Sequence, residues 1–122
     1  MTEAELIEAI NATLDIHLSV LLAYITIVSA YLISAFAAGI RLTSLQSVVV
    51  STLFVFATIM CATAIWGSGT RIAYMVDALL LVDPSHPIIY TENFRNAMTF
   101  LCTLGIFASL NFMWAVRHPK PE

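Results

Sequence analysis

Three uninterrupted apolar runs decide what this chain can fold into. The first, residues 18–40 ("LSVLLAYITIVSAYLISAFAAGI"), holds no ionisable group apart from its tyrosines. As a helix rising 1.5 Å per residue it reaches roughly 34 Å, enough to cross a hydrocarbon core about 30 Å thick. Residues 48–66 and 97–116 reach roughly 28 Å and roughly 30 Å by the same rule. In hydrocarbon each run has to be helical, because an isolated strand leaves its backbone polar groups unpaired. The alternating segments of a transmembrane β-barrel do not occur.

Composition agrees. Of 122 residues, 60% are hydrophobic and 11% charged, against about 45–50% and about 25% in soluble domains. A chain this small and this apolar would expose much of that surface in water. The expected class is all-α: an integral membrane protein with three transmembrane helices. A net charge of −3 argues against a nucleic-acid partner, which demands a basic face. The acidic start, "MTEAELIEAINATLDIH", lacks the basic flank of a secretory signal and reads as mature protein. Cys61 and Cys102 both lie inside apolar runs, so no disulfide framework is expected.

The segments around the spans carry helical patterns of their own. In residues 2–16, "TEAE" fits a capping box of Thr2 with Glu5. Leu6, Ile7, Ile10 and Leu14 then form one apolar stripe. Residues 70–82 repeat the design with Ile72, Met75, Val76, Leu79 and Leu80, until Asp83-Pro84 and Pro87 stop the helix. Gly67 and Gly69 in "WGSG" read as a flexible joint between this segment and the second span. The expected organisation is one membrane domain over 1–122. It runs as an amphipathic segment at 2–16, spans at 18–40, 45–66 and 94–116, and a second amphipathic segment at 70–82. A loop covers 83–93 and a tail 117–122. Both amphipathic segments emerge on one side, and Thr43 or Ser44 caps the second span.

Arg41, Arg117 and Lys120 lie on one side, Arg71 and Arg95 on the other. The positive-inside rule then places the Arg41 turn and the C-terminus in the cytoplasm and the N-terminus outside.

Chemistry is sparse. Asp15, His17, Asp83, His86 and Glu92 share the outer side, but "DIH" puts two of them at i, i+2, which do not face each other on a helix. No metal site, cofactor or catalytic constellation is expected, and the chain reads as a non-enzyme. Asp77, Asp83 and His86 are the outer-side candidates for sensing or gating. On the second span, Ser47, Ser51, Thr58 and Cys61 recur at four- and three-residue steps, with Phe54 in the one larger position. The third span carries Asn96, Thr99, Thr103 and Asn111 close to one face, plus Gly105-x-x-x-Ser109. The first carries Ala30, Ser34 and Ala38. Such positions mark helix contacts, since lipid offers no hydrophobic drive for association. Three stripes and a GxxxS edge exceed what one bundle uses. The expected function is therefore a homo-oligomeric structural or scaffolding assembly among membrane lipids. Two alternatives are a channel lined by the Ser47/Ser51/Thr58/Cys61 stripe and an accessory subunit of a larger membrane complex. The spans lack Asp, Glu and His, which argues against coupled transport.

Overall fold

The computed structural model describes residues 2–85 and 92–119. Among these residues lie three helices, α1 (Glu3–Ala38), α2 (Ser44–Val82) and α3 (Glu92–Arg117), with a 3-10 turn (Gly39–Arg41) between the first two. All three are long and apolar enough to cross a membrane, and the protein is a multi-pass membrane protein.

Both N-terminal caps follow from sequence. Thr2 and Glu5 form a reciprocal capping box at α1, and Thr43 and Gln46 form another at α2. Asp83 ends α2, its N–H donating to the Leu79 carbonyl at 2.8 Å. Pro84 follows directly and cannot continue the ladder.

The amphipathic stretches are not separate helices. The N-terminal one is the opening of the 36-residue α1, and the second is the last third of the 39-residue α2. Gly67 and Gly69 sit inside α2 with no break and no positive φ. Two glycines cost a helix about 2 kcal/mol in propensity, and packing on both sides of them outweighs that. Gly69 is itself buried.

The helix lengths therefore exceed the membrane. α1 and α2 extend about 54 Å and about 58 Å, against a core of about 30 Å. Aromatic and basic side chains bracket a stretch of membrane length. Arg95 stacks over Trp66 at 4.0 Å and donates to Thr70 at 3.1 Å, marking one face. Arg117 and Trp114 mark the other, about 33 Å further along α3. Beyond the Trp66–Arg95 level, the start of α1 and the end of α2 project as an antiparallel two-helix stalk. Their apolar stripes turn inward there: Leu6, Ile72, Ala73 and Leu79 are buried, and Ile10, Leu14, Met75 and Val76 half-buried.

Inside the membrane the core is Tyr24, Tyr31, Ala35, Phe54, Ile65, Cys102, Ile106 and Met113. Tyr31 stacks on Phe54 with ring centroids 4.0 Å apart. Three polar clasps then tie the helices together. The Tyr31 hydroxyl pairs with Ser51 at 2.9 Å across α1 and α2. The Tyr24 hydroxyl donates to the Cys102 carbonyl at 2.6 Å across α1 and α3. One Arg117 nitrogen, Nη1, donates to the carbonyls of Gly39 (2.9 Å) and Leu42 (2.6 Å), which the turn after α1 leaves without helical partners.

Candidate functional site

The second-span stripe faces the interior of the unit. Ser51 is half-buried and bonded to Tyr31, and Thr58 is fully buried, its hydroxyl donating to the Phe54 carbonyl at 2.7 Å. Ser47 is half-buried at the head of the helix. Cys61 packs against the cluster that contains Cys102, and both thiols are free. Phe54 supplies the stacking ring of the same face.

The third-span polar residues divide between two faces. Thr99 turns toward α2, its Oγ1 buried without a hydrogen-bond partner among the described residues. Thr103 is exposed, its hydroxyl returned to the Thr99 carbonyl at 2.9 Å. Asn111 faces outward. The Gly105–Ser109 edge works inside the unit: a Cβ on Gly105 would collide with the Tyr24 hydroxyl, and Ser109 is buried. Ala30 and Ser34 of α1, by contrast, remain exposed.

On the stalk side, Asp77 is exposed. Asp83 accepts from the backbone and hydroxyl of Ser85 at 3.2 and 2.8 Å, an Asx-type turn past the helix end. His86 lies outside the described residues. Among the described residues, no three His, Cys, Asp or Glu side chains cluster as a metal site would require.

Sequence reasoning placed His17 on the outer side and gave it no partner. The structure buries it to 2% exposure at the base of the stalk, with Nδ1 2.7 Å from the Ser68 hydroxyl of α2. Burial disfavours the imidazolium and holds the His17 pKa below its ordinary value. A signal was present: residue 17 continues the spacing of Leu6, Ile10 and Thr13 on the inward face of α1.

Among the described residues, two open cavities lie along the seam of α2 and α3. The larger, about 460 Å³, is a mainly apolar trough bounded by Val55, Ile59, Ile106, Phe107 and Leu110, reaching Trp66 and Thr99. The smaller, about 330 Å³, shares Leu110 and opens at the Arg117 end, where Ser44, Ser47, Ser51 and His118 line it. No family model, curated protein or solved structure matches the chain.

Proposed function

We propose that this chain is a non-catalytic membrane protein that assembles with copies of itself through the outward face of α3. Asn111 carries the reading. It lies about 9 Å inside the membrane from Arg117, is exposed, and has no partner among the described residues. An amide left in hydrocarbon is costly unless another helix satisfies it.

The residues around it have the spacing of a helix contact. Ala97, Leu101, Leu104, Ala108, Asn111 and Ala115 alternate steps of four and three, and all six are exposed. That is a heptad seam. Ala108 and Ala115 leave room on either side of Asn111 for a second backbone to approach. One Asn in such a seam fixes register, because its best partner is the same residue of a parallel neighbour. The placement of Ser51 and Thr58 supports helix contact rather than pore lining as the role of the α2 stripe.

The particle mass in nanodiscs tests the assembly. Wild-type protein is expected as a defined oligomer, and Asn111→Leu as a predominantly monomeric species with unchanged helix content. Wild-type protein that stays monomeric at every protein-to-lipid ratio would favour the accessory-subunit reading instead. The proposed orientation puts the stalk outside the cell, so a cysteine at Glu5 labels from outside in intact cells.

A further inference from the structure

The geometry points to an anionic phospholipid site in the α2–α3 groove, with the lipid phosphate at the Arg117 mouth and one acyl chain along the apolar trough. The two cavities together have the shape and polarity of an amphiphile. The mouth combines a guanidinium, an imidazole and the Ser44 and Ser47 hydroxyls. The trough behind it offers Val55, Ile59 and Phe107. Leu110 lines both, so the headgroup and chain spaces adjoin there.

The mouth has donors to spare. Arg117 uses Nη1 on the Gly39 and Leu42 carbonyls, and Nη2 and Nε carry no bond to any described residue. A clamped guanidinium with one free edge suits a phosphate, which it can meet through two parallel N–H···O bonds. His118 stacks on Trp114 at 4.6 Å, with Nδ1 3.0 Å from the Trp114 carbonyl, which holds the imidazole at the rim. The first turn of α2, which supplies Ser44 and Ser47 to the mouth, adds positive potential.

Among the described residues, charge distribution favours a lipid over a second copy as the occupant. Every carboxylate among the described residues (Glu3, Glu5, Glu8, Asp15, Asp77, Asp83 and Glu92) lies on the stalk side of α3's membrane segment or at its border. At the Arg117 end the described ionisable groups are Arg41, Arg117 and His118. Copies that share one membrane orientation bring no described carboxylate to this mouth, whereas an anionic lipid brings its phosphate at that depth. The groove centres on a different face of α3 from the Asn111 seam, and the two adjoin at Phe107 and His118.

Native mass spectrometry of the purified full chain with phosphatidylglycerol or phosphatidylcholine of identical acyl chains tests the site. Phosphatidylglycerol is expected to be retained at least about tenfold more, a difference near 1.4 kcal/mol. Ser44→Glu places a carboxylate at the mouth on an exposed first-turn position, where helix formation favours it; it is expected to reduce the preference to about twofold or less. Ile59→Trp fills the trough and is expected to weaken retention of both lipids. Equal retention of the two lipids by wild-type protein would overturn the site, as would a preference untouched by Ser44→Glu in a folded protein. Displacement of the lipid by millimolar inorganic phosphate would assign the mouth to a free anion and overturn the lipid. Asn111→Leu protein is expected to keep the preference, which separates this result from the failure of self-assembly.

Discussion

Replacing Gly105 by alanine is expected to destabilise the protein, and Tyr24→Phe is expected to rescue it. At Gly105 the added methyl would overlap the Tyr24 hydroxyl, whose donation to the Cys102 carbonyl holds it in place. The ring is buried, so it has little room to retreat. Overpacking of this kind costs about 1–3 kcal/mol. Tyr24→Phe alone removes one hydrogen bond, a loss of about 0.5–1.5 kcal/mol. Without the hydroxyl oxygen, the nearest ring atom to the new methyl is Cζ at 3.5 Å, an ordinary contact. Alanine is also a better helix former than glycine by about 0.8–1 kcal/mol. In the Tyr24→Phe background, Gly105→Ala should therefore be neutral or stabilising. The double-mutant cycle is expected to return a coupling of about 1–3 kcal/mol, in the range of residues in contact. Reversible unfolding in bicelles or mixed micelles reads it. If the two substitutions simply add, α1 and α3 do not approach at this point.

That close approach shows where the sequence is legible and where it is not. The three spans and both capping boxes follow from local patterns: long apolar runs, and Thr followed three residues later by Glu or Gln. Helix C-termini are nearly as clear, since Asp83-Pro84 ends α2 by a steric rule. Continuity is harder. "WGSG" resembles a joint because glycine is read as a helix breaker. Gly69 instead packs at the base of the stalk, where α1 and α2 bury a shared face. Local propensity lost to tertiary contact.

Partnerships are harder still. Tyr24 meets Cys102 and Arg117 meets Gly39 across 78 residues of chain, and no periodicity encodes either pairing. The small-residue stripes could be recognised as contact surfaces, but not allotted. Gly105–Ser109 read as spare surface and is used against α1, whereas Asn111 read as sharing a face with Thr99 and points away from the groove. The difference is rotational. Twelve residues separate Thr99 from Asn111, which is three and a third turns of helix, so the two side chains lie about a third of a turn apart. The α2–α3 groove had no sequence signal, because its mouth draws on residues at both ends of the chain's membrane segments.

The stalk is expected to loosen as pH falls from about 7 toward 5, and His17 is the group responsible. His17 precedes the apolar run 18–40 and is buried against α2, paired with Ser68. Ser68 Oγ also lies 3.3 Å from the Ile65 carbonyl. When its proton is directed there, the oxygen accepts from Nδ1–H of the neutral imidazole. An imidazolium in this place keeps that bond but loses hydration, which is why the folded pKa falls below the ordinary value of 6.5. The sign follows from linkage. The open state binds the proton more readily, so the stabilisation is complete above pH about 6.5 and is lost as pH falls toward the folded pKa. One proton allows the opening equilibrium to rise by at most about tenfold per pH unit within that window. Amide exchange over residues 3–17 and 67–82, corrected for the intrinsic pH dependence of exchange, is the measurement. Wild-type protein should lose protection there between pH 7.5 and 5, while His17→Gln, which keeps a neutral polar group on Ser68, should show a flat response. His86 and His118 remain in that variant, so a persistent pH response would assign the effect to them and not to His17. If it is flat, a single buried imidazole makes the projecting pair of helices acid-sensitive while the membrane-embedded clasps at Ser51, Cys102 and Arg117 stay closed.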